Sequence, residues 1–298
     1  MGTTIAVPRA PAATIGTVGI WSAGVRFAPD GAGTAAAAEL EQLGCRMAWV
    51  PGGIDDGVLA SLDLLLDATT SLQFGSSILN IWKHDPSDVA RWWAGQSPAR
   101  RARLLIGMGV SHGALIGDAY ERPLAKMRSY LAALDDHGMP LDRVLLAALG
   151  PQMLELAASR VGGACPFLVT PGHSATARSI LGSDALLAPE QGVVLETDPA
   201  TARSIAREVV QGYASLPNYT NSWLREGFSE EDIARLSDRL IDGLIAWGDI
   251  DAIAVRVREH IDAGADHVAL QAIGPGGMMR PISGDLDDWR KLAGLFGR

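Results

Sequence analysis

Three of the six histidines are placed where they could do chemistry, because His84, His112 and His173 each follow an apolar run typical of a buried strand. An imidazole titrates near neutral pH, so it can transfer a proton or bind a metal ion. A three-histidine metal site also needs convergent geometry and supporting groups, which this spacing does not supply. The sequence therefore favours proton transfer, and we predict no metal site.

Small residues gather at the ends of the same runs. They are Ser76, Ser77, Gly107, Gly109, Ser111 and Gly113. Side chains this small leave space above the end of a sheet. Two later stretches, 150–153 and 170–174, are predicted helix starts, whose backbone N–H groups favour a phosphate. A flat ring over the strand ends, with a phosphate at these helices, would use both features.

Eight short apolar runs alternate with helical patterns along the chain. They cover residues 17–22, 46–52, 72–79, 103–110, 143–150, 166–172, 192–197 and 267–274. Most are continuously apolar, as parallel strands covered on both faces are. Eight strand–helix units predict an α/β fold, the (β/α)8 TIM barrel, with its site at the carboxyl ends of the strands. A doubly wound sheet is the second choice, because WSAGVRF after the first run does not match G-x-G-x-x-G.

The gap between the seventh and eighth runs, about 70 residues, is longer than the others. At least three helical patterns lie within it, including residues 229–248 and 249–265, each with an acidic first turn and a glycine near its end. We therefore predict a helical insertion between strands 7 and 8, at about 199–266. The barrel domain is predicted to span 15–298, after a flexible leader of residues 1–14.

Charge and composition exclude several classes of protein. The formal net charge of −9 argues against a nucleic-acid surface. No apolar stretch is long enough to span a bilayer. Cys45 and Cys165 have no metal-ligand partner nearby in sequence and fit a reducing compartment. These features predict a soluble, cytoplasmic protein that acts on neither nucleic acid nor a membrane.

Seven segments, taken in order, carry a resemblance to a known family. They are SSILNIWKHDPSDVARW, RLLIGMGVSH, YERPLAKMRSYLAALD, RVLLAALGPQMLELAA, LVTPGHSATARSILG, LPNY and GDIDAIAVRVREHIDAGADHVALQ. The set resembles the bacterial-luciferase-like superfamily, and is most similar to its coenzyme F420-dependent oxidoreductases of actinobacterial type. The resemblance covers nearly the whole chain from about residue 15. It implies the same barrel, with the insertion between strands 7 and 8, and a homodimer.

The resemblance also implies where a cofactor lies. It places a non-prolyl cis peptide at Ser77–Ile78, beneath the central ring of the deazaflavin. By position, the ring contacts are Ser77, Ile78 and Asn80 on one edge and Gly109, Val110 and Ser111 on the other. The ribityl chain and phosphate are implied at Gly150, Pro151, Gln152, Met153, Thr170 and His173. The implied cofactor is coenzyme F420, with FMN as the alternative.

The chemistry that the resemblance implies is hydride transfer between the deazaflavin and a small organic substrate. His112 aligns with a glutamate of the sugar-phosphate dehydrogenases and is our first choice for the proton donor or acceptor. His84 and Trp82 are second choices on the substrate side. The chain has Pro51-Gly52-Gly53 where sugar-phosphate and alcohol dehydrogenases carry an acidic residue and a histidine. Those substrates are therefore not predicted.

Two other functions stay open at this point. One is an FMN-dependent monooxygenase of the luciferase type, which shares the barrel. The other is a non-catalytic barrel that binds a flavin or another ligand. Pro51-Gly52-Gly53 keeps that second alternative open.

Overall fold

The computed structural model describes residues 12–53, 55–277 and 280–296, and within them ten parallel strands form one sheet. The strands are β1 (Val18–Trp21), β2 (Met47–Gly52), β3 (Gln73–Asn80), β4 (Leu104–Gly109), β5 (Val144–Leu146), β6 (Gly163–Ala164), β7 (Leu186–Leu187), β8 (Glu190–Val194), β9 (Ile245–Trp247) and β10 (Val268–Ala272). Their spatial order is β7-β6-β5-β4-β3-β2-β1-β10-β8-β9. All strand pairs are parallel, as the continuously apolar runs predict.

The sheet closes because β7 and β8 are two halves of one extended segment, separated only by Ala188 and Pro189. On one side, Ala188 N donates to Ala164 O at 2.9 Å. On the other side, Pro189 O accepts from Ala269 N at 2.9 Å. When β7 and β8 are counted as one strand, the barrel has eight strands, namely β1 to β6, β7 with β8, and β10. The short β9 pairs with β8 as an additional strand. The predicted (β/α)8 barrel is confirmed.

Helices cover the outside of the sheet. They are α1 (Ala12–Ile15), α2 (Gly24–Phe27), α3 (Ala32–Gln42), α4 (Val58–Ala68), α5 (Pro86–Gly95), α6 (Pro98–Ala102), α7 (Gly113–Ile116), α8 (Pro123–Asp136), α9 (Pro151–Arg160), α10 (Pro171–Leu181), α11 (Pro199–Tyr213), α12 (Pro217–Arg225), α13 (Glu230–Arg235), α14 (Asp238–Leu244), α15 (Ile250–Asp262) and α16 (Ile282–Leu292), with 3-10 turns at Gly117–Ala119, Leu141–Arg143 and Ala293–Leu295. Residues 1–11 of the predicted leader lie outside the described residues, and α1 begins directly after them. No helix of the described ranges is long and apolar enough to cross a membrane.

Local sequence sets many of these helix starts. At α5, Asp85 accepts a hydrogen bond from Ser87 N at 2.8 Å, and Pro86 occupies the first turn. At α13, Ser229 and Asp232 form a reciprocal capping box. Each such cap stabilises a helix by about 1 kcal/mol, because it satisfies backbone N–H groups that have no partner within the helix.

The predicted sixth strand, residues 166–172, is wrong. The sixth strand is the short β6, and α10 already begins at Pro171. Pro166 and Pro171 have no N–H for a ladder, and Leu168 turns the chain with φ of 55°. The Leu168 N–H donates to the side chain of Glu190 instead of to a neighbouring strand. An apolar stretch can therefore form a buried loop instead of a strand when a side chain accepts the backbone hydrogen bond that a neighbouring strand would otherwise accept.

The continuous helical pattern predicted for residues 229–248 is also wrong in part. It contains two helices, α13 and α14, and then the strand β9, which pairs with β8 from Gly192 to Val194. Ser237 restarts the helix because its hydroxyl accepts from Leu240 N. A three-residue strand is too short for its periodicity to be separated from that of the helix before it.

The segment between β8 and β10 holds α11 to α15 together with β9. It builds a second apolar cluster of its own, in which Trp223 and Leu240 are fully buried. Ile245 and Val194 from the sheet join the same cluster. Because this cluster packs on the barrel, it holds α11 and α12 beside the carboxyl ends of the strands.

The end of β3 departs from regular pairing. The register with β4 shifts between Ser76 and Leu79, and the register with β2 shifts at the same level. The Ser77–Ile78 peptide bond is cis, which confirms the expectation from the resemblance. Ser76 Oγ donates to Gly107 O at 2.9 Å and fixes the start of the bulge to β4. The bulge turns Ser77 and Ile78 toward the mouth of the barrel.

Candidate active site

A cavity of about 460 Å³ opens at the carboxyl ends of β3 and β4. Its strand-end wall, as we call it, consists of Ser77, Ile78, Gly109, Val110 and Ser111. These are five of the six ring contacts that the resemblance implies. The volume lies within the range of small-molecule and cofactor sites. The structure therefore brings these five predicted ring contacts together around one cavity.

Gly109 is needed for the shape of this wall. A Cβ atom there would lie 2.8 Å from Ile78 Cγ1 and 2.9 Å from Ile78 Cδ1, closer than such atoms approach. Any side chain at this position would displace Ile78 or fill the cavity. The glycine thus keeps the bulge of β3 against β4 and leaves the space above them open.

A second wall, which we call the aromatic wall, contains residues that the sequence prediction missed. Ring contacts run from Trp21 to Phe167 (5.5 Å between centroids), on to Tyr213 (5.6 Å) and then to Tyr219 (4.8 Å). All four side chains line the cavity. Tyr213 and Tyr219 come from α11 and α12, so the segment between β8 and β10 forms part of the site. The segment LPNY, which ends at Tyr219, was the sequence signal that could have identified it.

His112 lines the cavity where the two walls meet. Its Nδ1 lies 3.2 Å from Asn218 Oδ1, and its ring packs 5.7 Å from that of Tyr219. With Nδ1–H donating to the Asn218 carbonyl, Nε2 keeps its lone pair. Partial burial lowers the pKa of His112, against the opposing effect of the Asn218 hydrogen bond. The side chain is therefore a neutral imidazole at neutral pH, suited to accepting a proton.

The other two predicted catalytic residues are not among the residues that line the cavity. Trp82 turns away, since its Nε1 donates to Val110 O at 2.7 Å and Lys126 Nζ lies 5.4 Å from its ring. His84 is buried, and burial lowers its pKa. Within the described residues no group of three or more His, Cys, Asp or Glu could hold a metal ion.

Asn80, the sixth predicted ring contact, is fully buried behind the strand-end wall. Its Nδ2 donates to Gly53 O at 3.1 Å, and its Oδ1 accepts from Trp82 N at 3.0 Å. Both ends of the amide are therefore used within the protein. Asn80 holds the loops after β2 and β3 together, and Gly53 lines the cavity in its place.

The two helix starts predicted to hold a phosphate lie beyond the residues that line the cavity. At α10, the Thr170 hydroxyl accepts from His173 N and donates to the carboxylate of Glu226. Burial raises the pKa of Glu226, and its bonds to Thr170 oppose that rise. The start of α10 therefore already carries an acidic group from the end of α12.

The start of α9 has the opposite neighbour. Arg225 Nη2 donates to Leu149 O at 3.0 Å, and a Cβ at Gly150 would lie 3.8 Å from the same nitrogen. His173 Nε2 donates to the same carbonyl at 3.2 Å, and burial lowers the pKa of His173 to about 4. His173 is therefore neutral, and Arg225 supplies the positive charge at the start of α9. Neither Arg225 nor Glu226 was singled out from the sequence.

Residues 109–113, GVSHG, match the spacing G-x-S-x-G, and Ser111 has φ of 54° between β4 and α7. A serine nucleophile also needs an imidazole within hydrogen-bond reach. Among the described contacts, no hydrogen bond joins Ser111 to a histidine, and His112 bonds to Asn218 instead. The motif is therefore read as the turn that brings Ser111 and His112 into the cavity.

No family model and no curated protein matches the chain. Solved structures do. One is an F420-dependent secondary alcohol dehydrogenase in complex with an F420–acetone adduct, at TM-score 0.71 and 13% identity, covering 94% of this chain and 99% of that one. Another is the coenzyme F420-dependent tetrahydromethanopterin reductase of Methanopyrus kandleri, at 0.66 and 15%, covering 95% and 99%.

The oxygenating constituent of 3,6-diketocamphane monooxygenase from Pseudomonas putida, in complex with FMN, is similar at TM-score 0.64 and 12% identity, covering 95% of this chain and 97% of that one. All three likenesses extend over nearly the whole of both chains. At these identities they establish the fold, and they support the resemblance that the sequence carries. The chain shares the (β/α)8 barrel fold of these three structures.

Proposed function

We propose that the protein is an oxidoreductase that uses coenzyme F420 to transfer a hydride to or from a small organic substrate. The observation that carries the proposal is the meeting of an open strand-end wall with one neutral imidazole, His112, in a single cavity. Two of the three similar structures described above are F420-dependent enzymes, and the third is an FMN-bound monooxygenase.

The residues present fit a flat ring. Ile78 and Gly109 leave a cradle that a Cβ at position 109 would fill, and Ser77 and Ser111 add only small side chains beside it. These residues would hold the ring. When bound, the deazaflavin supplies the carbon that donates or accepts the hydride.

The chain itself has three tasks in this proposal. The strand-end wall orients the ring, and the aromatic wall excludes water and covers the substrate. His112 Nε2 accepts a proton when the substrate is oxidised and returns it when the substrate is reduced. Asn218 holds the tautomer that this requires.

The phosphate of the cofactor is assigned to the start of α9. Arg225 stands beside Gly150 there, and the backbone N–H group of Gln152 lies in the first turn of a ten-residue helix, whereas the Met153 N–H already donates to Gly150 O at 3.2 Å. Thr170 and His173, predicted for the same role, are engaged with Glu226 and Leu149. Because Glu226 already places a carboxyl group at the start of α10, a phosphate is disfavoured there.

The alternative is an FMN-dependent monooxygenase, favoured by the likeness to the FMN-bound structure. Fluorescence-quenching titrations of the purified protein with F420 and with FMN separate the two. We expect F420 to bind at least about tenfold more tightly than FMN, a difference of about 1.4 kcal/mol. Tight FMN binding without F420 binding would replace the proposal by the monooxygenase. A reduced-F420 assay over enones, imines and alcohols then tests for catalysis, and no turnover of any of them would indicate a non-catalytic barrel.

The role of His112 has its own test. Replacement His112→Ala is expected to keep cofactor affinity and to lower turnover at least about tenfold, because general acid–base catalysis contributes on that scale. His137→Ala is the matched control, since His137 is exposed at the end of α8. Unchanged turnover in His112→Ala, measured with saturating cofactor, would remove His112 from the mechanism.

A further inference from the structure

The cavity has little charge. Among the described residues that line it, Glu208 is the only one with a formal charge at neutral pH, and none is a lysine or arginine. Glu208 is exposed on α11, at the mouth. An anion that entered would lose hydration without gaining a cationic partner. The cavity therefore disfavours anionic ligands on two grounds, the missing cation and the carboxylate at its entrance.

The rest of the lining suits a flat apolar molecule. Trp21, Phe167, Tyr213 and Tyr219 contact one another in tilted and edge-on pairs, an arrangement that can continue onto an aromatic ligand. At the mouth, Leu115 is a large apolar side chain that is 62% exposed. An exposed leucine at an entrance gives an apolar ligand its first contact.

Space is also left beside the strand-end wall. A Cβ at Gly53 would meet only Ile78 Cδ1, at 4.0 Å. His112 and Asn218 form a hydrogen-bonded pair among the polar groups of the lining, which also include the hydroxyls of Ser77, Ser111, Tyr213 and Tyr219. A ligand with one carbonyl or imine group and an extended apolar body matches this distribution.

We propose that the substrate is a neutral, planar, conjugated molecule, held by the aromatic wall and selected against anions by Glu208. The inference rests on the proposed function only in calling this ligand the substrate. The recognition itself belongs to the aromatic wall and Glu208. It can be measured on protein that carries no cofactor, because the Phe167 variant below distinguishes a probe on the aromatic wall from one on the strand-end wall.

Three probes of similar size test the proposal by calorimetry on the cofactor-free protein. They are 2-naphthamide, which is neutral and planar, 2-naphthoate, which is its anionic counterpart, and decahydronaphthalene-2-carboxamide, which is neutral but not planar. We expect 2-naphthamide to bind at least about tenfold more tightly than either of the other probes. The naphthoate would bury an unpaired charge, and the saturated amide would lose the ring contacts. Equal or tighter binding of 2-naphthoate, or of the saturated amide, overturns the proposal.

Two variants assign the selectivity to residues. Glu208→Gln should raise the affinity for 2-naphthoate about threefold and leave 2-naphthamide unchanged, since an exposed charge acts through solvent. Glu155→Gln, at an exposed position of α9 outside the cavity, should change neither. Phe167→Leu should weaken 2-naphthamide about fivefold and spare the saturated amide, because only the planar probe loses a ring contact.

The probe measurements, taken together with the F420 and FMN titrations, separate the proposed ligand class from the proposed function. If neither F420 nor FMN binds but the probes rank as expected, the proposed function fails and the ligand class stands. If F420 binds and the anionic probe is preferred, the proposed function stands and the ligand class fails. Thermal melts of each variant confirm that the fold is kept, so that a lost affinity is assigned to the cavity.

Discussion

The starts of α9 and α10 look equivalent in the sequence, yet the structure gives them opposite electrostatic partners. Both helices begin with a proline after a residue in the extended conformation. Arg225, the last residue of α12, stands beside the start of α9, whereas Glu226, which directly follows α12, bonds to the start of α10. A helix N-terminus is a potential anion site only until another part of the chain supplies the anion. The partner, and not the helix, decides which of the two remains open to a phosphate.

The loop before α10 depends on a second carboxyl group, that of Glu190. Its titration gives the largest effect that we predict, which is on the stability of the fold. Glu190 Oε2 accepts from Leu168 N at 2.9 Å, which supports the loop before α10. Burial raises the pKa of Glu190 to about 8 from its ordinary 4.5. Between those two values the folded protein keeps a proton that the unfolded chain releases. Stability must therefore fall as pH rises through this window, by on the order of 1 kcal/mol per pH unit.

Replacement Glu190→Gln removes this titration and keeps an acceptor for Leu168 N. Urea unfolding at pH 5.5 and pH 7.5 should show a clearly smaller loss of stability in the variant than in the wild type. Glu155→Gln, at an exposed position, should keep the wild-type dependence. Equal slopes in Glu190→Gln and the wild type would mean that Glu190 is ionised in the folded protein.

The strand-end wall, which would hold the ring, gives a reference effect on ligand affinity. The effects of changes at the starts of α9 and α10 can be compared with it. Gly109→Ala places a Cβ within 3 Å of Ile78, so the strand-end wall must shift or fill. We expect affinity for FMN and for riboflavin to fall together by about 100-fold, since both share the ring and each factor of ten is about 1.4 kcal/mol. Gly95→Ala, where a Cβ would meet nothing within 4 Å, should leave both unchanged. Loss of FMN binding alone would contradict the ring placement.

The strand-end wall and the loop that follows β3 also differ in how well the sequence predicts their positions. Ser77, Gly109 and Ser111 could be placed at the strand ends because strand periodicity and the barrel rule bring the ends of adjacent strands together, whereas Ile78 and Val110 were placed by the family resemblance alone. Trp82 and His84 could not, because the tight turn after Asn80 returns them toward the protein, with His84 N donating to Asn80 O. The spacing of residues in a loop does not state which way the loop turns.

Long-range partners explain the remaining errors. Arg225 and Glu226 lie more than 50 residues from the helix starts that they contact, and no local pattern connects them. The same holds for Tyr213 and Tyr219, which reach the cavity only because the second apolar cluster packs their helices on the barrel. Fold class follows from repeated local patterns, whereas the partners of a site depend on the packing between distant segments.

Arg225 is the residue that should mark α9 as the phosphate site. Arg225→Gln removes the charge beside Gly150 and keeps a donor for Leu149 O. Affinity for FMN should fall about tenfold while affinity for riboflavin is unchanged, on the scale of one charge-assisted hydrogen bond. F420 and its ring–ribityl fragment should differ in the same way. Arg235→Gln, at an exposed position on α13, is the control. Equal effects on FMN and riboflavin would show that Arg225 acts on the fold.

Glu226 gives the smallest effect and the sharpest contrast, because its removal should act in the opposite direction. Glu226→Gln keeps an acceptor for the Thr170 hydroxyl and removes the negative charge at α10. If the phosphate lies at α9, the lost repulsion acts through several ångströms of partly solvated protein. FMN affinity should then rise only about two- to threefold, and riboflavin affinity should not change. A rise of more than about tenfold would place the phosphate at α10 itself, because only direct contact gives an effect of that size. Titrating FMN at low and high salt separates the two cases, since a distant charge is screened and a contact is not.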